Sequence, residues 1–565
     1  MKTICLYFEI HQNIHLKRYR FFDIGTDHYY YDDYENARSI TETAEKSYIP
    51  ALKTLISMAE SNKRFFKCAL SLSGCAIEQL ESHAPEVLDL IKRLYDTGCC
   101  EILAEPYSHG LSSLANAECF KEDVKLLCHK VNSIFGATPK IFRNSCLIYS
   151  DEIGELVAGM GFKGMLTEGA KHILGWKSPH FVYNCSIAPK LKLLLRDHRL
   201  SEDISLRFNN PSWSEFPLFA DKYMDWIAKM PEDEQVINIF MELCALGIFQ
   251  PLSSNILEFF KALPEEAKKR GITFSTPSEI CSKTKSAGSL SVPYPISWVD
   301  EERDTSAWLG NIMQREAFEK LYSIADRVRI CDNRQIKQDW NYLQATNNFR
   351  FMNTKPSAEG GYRGIYETPE DAFINYMNIL GDFMTRVNDL YPDIDNEELS
   401  SLLTSIRNQE EELEMKDKEI VKLHAIIDKL TRESGKSSKK TTRTAKADEK
   451  PAKNAKSKAT TKKKKNQPRH PKKSRFHESL FQKSDIRLCF IVCSSQRSAS
   501  NHDKILQPRT QRRDSHYGVG KHSRQRAYRR KFHGFERGRN QYKFLFSPFQ
   551  KFERCKKTAE AQCKI

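Results

Sequence analysis

Short apolar runs alternate with longer amphipathic stretches along the first half of the chain. The runs are Thr3–Ile10, Phe65–Leu72, Cys99–Ala104, Lys163–Leu166, Leu191–Leu195, Val236–Met241 and Gly271–Phe274. Most are rich in Val, Ile, Leu and Phe without strict alternation, as expected of strands buried on both faces of a parallel sheet. Between them, segments such as Ala44–Glu60 and Ser150–Gly161 repeat apolar residues every three or four positions, a helical spacing. Strand-then-helix repetition over this length predicts a parallel α/β fold. No glycine-rich nucleotide fingerprint follows the first run, so a closed or nearly closed barrel is expected rather than a doubly wound sheet.

The pattern then changes three times. Residues 296–392 turn helical and aromatic, with Trp308, Tyr322, Trp340, Tyr342, Tyr376 and Phe383, and read as a helical subdomain packed on a barrel formed by 1–295. Residues 396–433 carry a heptad. Leu399, Ile406, Leu413, Ile420 and Ile427 form one seam position; Leu402, Gln409, Lys416, Leu423 and Leu430 form the other. That 3.5-residue period predicts a left-handed coiled coil and a homo-oligomer built through it; a single helix folded back on the body is the alternative. Residues 435–565 open with a Lys-, Ser-, Thr- and Ala-rich stretch ending in Lys462–Lys465. It has too few apolar groups to offset its own ordering, and the segment is expected to be a disordered basic tail.

Charge sharpens this division. Residues 435–565 hold 38 Lys and Arg against 9 Asp and Glu, while the rest of the chain is net acidic, so the overall +15 describes the tail and not the body. Nucleic acid or another acidic partner is therefore expected only through the tail, if that tail is selected coding sequence and not a frame-shifted end. Sixteen cysteines follow no regular framework, which points to free thiols in a reducing, cytoplasmic setting. No signal core opens the chain and no run of 18 apolar residues occurs, so no membrane partner is expected.

Five ungapped motifs carry the candidate chemistry: Glu9–Gln12 (EIHQ); Ser71–Gly74 (SLSG) leading to Glu78-Gln79; Phe142–Tyr149 (FRNSCLIY); Ile239–Gly247 (IFMELCALG); and Asp300–Asn311 (DEERDTSAWLGN). In order and spacing they resemble the α-amylase-type branch of glycoside hydrolase family 57 over residues 1–390. The resemblance implies an incomplete (β/α)7 barrel with a helical region, acting on or binding α-1,4-glucans such as starch, glycogen and maltooligosaccharides, without a cofactor or metal. It places Cys146 at the catalytic nucleophile position, normally Glu, and Glu242 at the acid/base position, normally Asp. It makes His11 a sugar-binding residue. Glu78, His109, Arg143, Asp304 and Trp308 are further candidates for substrate contact.

Both departures bear on the reaction. A retaining glycosidase uses one carboxylate to attack the anomeric carbon and a second carboxyl group, about 5–5.5 Å away, to protonate the leaving oxygen. Asp to Glu keeps a carboxyl group but moves it by one methylene. Glu to Cys removes the carboxylate; a thiol needs a nearby cation or base to ionise, and its glycosyl adduct is a poor leaving group for the second step. Glu168, ending a later apolar run, is a candidate substitute carboxylate. Asp151 and Glu152 read instead as the acidic first turn of a helix. His11 and His15 are four apart, but His11 ends a strand, so no metal site is expected from them. Three functions compete: a hydrolase with altered chemistry, a non-catalytic glucan-binding pseudoenzyme, and a coiled-coil scaffold with a basic tail.

Overall fold

The computed structural model describes residues 2–62, 64–355, 365–390 and most of 398–426. Its centre is a ring of seven parallel strands. They are β1 (Thr3–Ile10), β2 (Cys68–Leu72), β3 (Cys100–Ile102), β4 (Ile141–Arg143), β5 (Gly164–Glu168), β7 (Lys192–Arg196) and β8 (Val236–Glu242), with β6 (Val182–Cys185) lying outside, antiparallel to β7. The β1/β8 and β1/β2 seams are long, pairing Thr3 through Glu9 and Tyr7 through Ile10. Two other seams are minimal. Ala104 bridges to Phe142 between β3 and β4, and Arg196 pairs with Asn238 between β7 and β8. The expected incomplete (β/α)7 barrel with a helical region is thus the architecture present, closed at two points by single residue pairs.

One expected strand sits elsewhere. The Gly271–Phe274 run forms only β9 (Thr273–Phe274), which pairs with Thr3 and Ile4 at the amino end of β1 and is no stave of the ring. Its place in the count belongs to β4, three residues long and followed at once by Asn144 and Ser145, too short to stand out as an apolar run. A last short strand, β10 (Ser289–Leu290), pairs with β6.

Period-2 geometry explains why the strand runs look uniformly apolar. In β1, Ile4, Leu6, Phe8 and Ile10 point outward into the layer of helices, where Leu52, Leu55, Leu80, Ile91 and Phe260 share their cluster. Cys5 and Tyr7 point inward with Ala69, Leu103, Ile141, Leu166, Leu194 and Phe240. Both faces are buried, so the polar alternation of a half-exposed strand is missing. Each fully buried Leu, Ile or Phe stabilises the fold by about 1.5–3 kcal/mol relative to exposure.

The inward positions change character near the carboxyl ends. The interior is filled by apolar side chains up to Tyr7 and Phe240, whose rings stack at 5.1 Å. Beyond them the next inward positions are Glu9 on β1, Ser71 on β2, Arg143 on β4, Glu168 on β5, Arg196 on β7 and Glu242 on β8. Active sites of such barrels sit at this end, built from strand ends and the loops after them.

Helices Ile312–Tyr322, Arg334–Leu343 and Pro369–Asp389 form the region after the barrel. Their Leu321, Trp340, Tyr376 and Phe383 share one cluster with outward-facing Phe142, Met165 and Leu193 of the barrel. Buried Asp382 ties the last helix to the loop after β1, accepting from Gly25 N (2.7 Å), Tyr30 Oη (2.6 Å) and His28 Nδ1 (2.9 Å). Residues 398–409 are helical, and on the expected coiled-coil seam Leu402, Leu413, Ile420 and Leu423 are exposed. Ile427, Leu430 and the basic tail lie outside the described residues. The twelve cysteines described are all free, and among the described residues no helix is long and apolar enough to cross a membrane.

Candidate functional site

The carboxyl ends of β1, β3 and β4 meet at Arg143. Its guanidinium is fully buried and spans two carboxylates, with Nη2 2.6 Å from Glu9 Oε2 and Nη1 2.9 Å from Glu105 Oε2. The same group lies over the Phe240 ring, 5.0 Å from its centroid. Arg143, a candidate for substrate contact, is thus engaged by two carboxylates of the site. A second cation repeats the motif across the barrel. Arg196 Nη1 lies 3.0 Å from Glu168 Oε2 and its Nη2 3.6 Å from Glu202 Oε1, which Arg303 Nη2 also holds at 2.6 Å.

His109 completes the first group. It follows β3 in a loop pinned by Ser108, whose hydroxyl donates to buried Asp123 at 2.7 Å, and by Thr346 N, which donates to the His109 carbonyl. Its Nδ1 lies 3.2 Å from Glu9 Oε1 and 3.8 Å from Glu105 Oε1. Its Nε2 lies 3.7 Å from Cys146 Sγ. Burial works to lower the pKa of His109, but the Glu9 charge and hydrogen bonds with Cys146 and Glu105 outweigh it and push it up to about 10. His11 stacks on His109 with ring centroids 4.0 Å apart. Burial, the charge on His109 and Arg143 hold His11 well below the usual imidazole range, so the pair carries one proton charge and not two. His11 Nδ1 is 2.8 Å from Ser73 Oγ, while its buried Nε2 has no protein partner. Ser73 also caps the following helix by accepting from Ala76 N.

Cys146 sits on the turn after β4, and Asn144 shapes that turn. The Asn144 side chain accepts from Ser145 N (3.0 Å) and donates to Ser113 Oγ and to the Ile148 carbonyl (both 2.9 Å). The turn throws Cys146 (φ 51°) and Leu147 (φ 54°) into the left-handed region, where a residue with a Cβ is strained. His109 is also left-handed, at φ 50°. Glu242 ends β8 directly beside Glu9, its register partner on β1, and accepts from Cys244 Sγ at 3.2 Å.

The remaining candidates lie apart from this cluster. Glu78 is held by the hydroxyls of Tyr107 and Tyr342 and lines a cavity of about 720 Å³ with Tyr29, Tyr31 and Gln338. Asp304 turns its carboxylate onto its own loop and accepts from Ser306 N and Oγ. Trp308 is 1% exposed inside the helical core, which corrects its expected substrate contact: it is a packing residue. Trp298, only partly buried, lies over Arg196 and donates its backbone N–H to the Cys146 carbonyl. Asp151 begins a helix as expected and accepts from Val292 N. The candidate substitute Glu168 reaches the carboxyl end of the barrel but is tied to Arg196.

Glu9, Glu105 and His109 bring ligand-type atoms within 4.8 Å of one another. Arg143 spans both carboxylates, while Glu9 Oε1, Glu105 Oε1 and His109 Nδ1 are buried without a hydrogen-bond partner. Sequence reasoning missed Glu9, Glu105, Arg196 and Glu202 as site members. The signal was present for two of them: a charged residue stands next to the end of an apolar run in TICLYFEI (Glu9) and at the end of one in KLLLR (Arg196).

Opposite pKa directions at the two stacked histidines set a pH dependence. His109 is raised, so its contribution to stability is full below about pH 6.5 and is lost as pH climbs toward about 10. His11 is lowered, so the unfolded chain binds a proton that the native site refuses, and stability falls as pH drops below about 6.5. In urea titrations, the stability gap between wild type and His109→Gln should shrink from pH 6.5 to 10. The gap to His11→Gln should close on the acid side. A pH-independent gap for His109→Gln would mean that the imidazole is neutral in the fold.

Comparison with known proteins places this geometry. Residues 5–293 match the family model described as "Glycosyl hydrolase family 57". A "Putative alpha-amylase" of Methanocaldococcus jannaschii is 34% identical over 415 residues, covering 71% of this chain and 88% of that protein. The 4-alpha-glucanotransferase of Thermococcus litoralis superposes with a TM-score of 0.51 at 15% identity, over 67% of this chain and 59% of its own. A GH57-type branching enzyme of Pyrococcus horikoshii gives 0.51 at 12% identity, over 71% and 93%. The last two likenesses concern the fold.

Proposed function

Because the chain belongs to glycosyl hydrolase family 57, we propose that it binds α-1,4-linked glucan at the carboxyl ends of its barrel strands without running the family's two-carboxylate cycle. The observation that carries this reading is Cys146, a thiol at the nucleophile position implied by the sequence motif, set among carboxylates that are already engaged. Glu9 and Glu105 are held by Arg143, and Glu168 by Arg196. Retaining hydrolysis needs a free carboxylate to attack the anomeric carbon, and β4 delivers sulfur there instead.

The binding half rests on groups suited to hydroxyls. His11 Nε2, Ser71 Oγ, Ser145 Oγ, Glu168 Oε1 and Trp298 Nε1 are buried and lack protein partners. Each such group costs about 1–3 kcal/mol when left unsatisfied, and a ligand dense in hydroxyls offers donors and acceptors together. The substrate class comes from the 34% identical relative named a putative alpha-amylase.

Isothermal titration with maltoheptaose should show binding by the wild type and no release of reducing ends. His11→Ala should weaken binding about five-fold or more, the worth of roughly one net hydrogen bond. No binding by the wild type would overturn the glucan reading. Turnover abolished by Glu242→Gln would overturn the non-hydrolytic one.

A further inference from the structure

We propose that Cys146, His109 and Glu9 form a thiolate–imidazolium–carboxylate relay that makes Cys146 a covalent glycosyl acceptor, one that captures a glucosyl unit at sulfur and releases it slowly. The inference rests on the glucan-binding reading above and adds a chemical step to it.

The geometry has the three parts of an activated nucleophile. Cys146 Sγ lies 3.7 Å from His109 Nε2, an ordinary separation for a sulfur hydrogen bond. The opposite ring nitrogen, Nδ1, lies 3.2 Å from Glu9 Oε1, an ion contact rather than a hydrogen bond, with Glu105 Oε1 at 3.8 Å. Arg143 fixes both carboxylates from the far side at 2.6 and 2.9 Å, so the orienting group is itself held in place. All the side chains involved are buried, which strengthens the ion pair and excludes bulk water.

Backbone strain is present at both residues, as it is at neighbouring Leu147. Cys146 and His109 are both non-glycine residues in the left-handed region, at φ 51° and 50°. Such conformations cost about 1–3 kcal/mol each and persist where surrounding structure enforces them. Here Asn144 enforces the first, and the Ser108–Asp123 and Thr346 contacts the second. A buried filler thiol needs neither.

The step balances without an oxidant. The Cys146 proton resides on His109 Nε2, and the sulfur lone pair forms the S–C1 bond on the β face of an α-glucosyl donor. The C1–O bond breaks with its electron pair, and the departing oxygen takes a proton from the Glu242 carboxyl group. The product is a β-thioglycosyl protein. Sulfur bound to carbon gains little from acid assistance as it departs, so water displaces it slowly and the adduct accumulates.

The test uses α-maltosyl fluoride, whose fluoride leaves without a proton donor. Intact-mass analysis of the full-length wild type should show a gain of one maltosyl group per chain, located to the Cys146 peptide and absent from Cys146→Ala. A parallel arm needs no variant: under limiting iodoacetamide, Cys146 at 8% exposure should be alkylated about 10-fold or more faster than the more exposed Cys128. No adduct in protein that binds maltoheptaose would overturn covalent capture while leaving the glucan reading intact. Labelling of Cys128 ahead of Cys146 would overturn the relay itself. Absence of both binding and adduct, with fast alkylation, would sink the glycosyl acceptor together with the glucan reading.

Discussion

Maltoheptaose hydrolysis should appear in the double variant Cys146→Glu with Glu242→Asp, at a rate at least ~10²-fold above either single variant. The first change returns a carboxylate to the turn after β4, beside an imidazolium that would stabilise its charge at the distance where it now faces sulfur. The second withdraws the opposing carboxyl group by one methylene toward the strand end. Misplacing a reacting group by about 1 Å can cost ~10²-fold, so neither change suffices without the other and the effects should be far from additive. Product analysis by NMR should show retained α-configuration, because the restored pair would act by double displacement. If the double variant binds maltoheptaose but yields no reducing ends, the defect lies in the cleft beyond these two positions. The engaged state of Glu9, Glu105 and Glu168 would then be the limiting feature.

Arg143→Met should be the most damaging single substitution for stability. It leaves Glu9 and Glu105, both almost fully buried, without the cation that spans them. Removing one partner of a buried ionic group typically costs about 3–5 kcal/mol, a large share of a domain's net stability. The loss should read as a lower urea midpoint at neutral pH. Arg143→Lys should fall between, since one ammonium cannot span two carboxylates as a planar guanidinium does. An Arg143→Met midpoint within error of wild type would show that His109 alone neutralises the pair.

Much of the barrel was legible because its strands are buried on both faces and its helices on one. Thr3–Ile10 and Val236–Met241 stood out as long apolar runs, and they form the longest seam of the ring. The three-residue β4 was not legible: its length falls below what an apolar run can signal, and only pairing with β5 and the Ala104 bridge makes it a stave. Gly271–Phe274 misled for the converse reason. Its composition suits a buried strand, but chain connectivity delivers it to the amino end of β1, beside Thr3 and Ile4.

The site divides along the same line. Local order along the chain supplied the candidate positions: Cys146 where the resemblance expects a carboxylate, Glu242 at the end of its strand, His11 after the first. Such information survives in one dimension because a motif is a short stretch of fixed spacing. Whether Cys146 was an inert filler or a partnered sulfur depended on His109, 37 residues away, and on Glu9, farther still. The same holds for the burial of Trp308 in a helical core and for the arginines that engage Glu9, Glu105 and Glu168. Charge pairing and burial are set by which strand ends meet across the barrel, and those meetings are made by folding, not by adjacency in the chain.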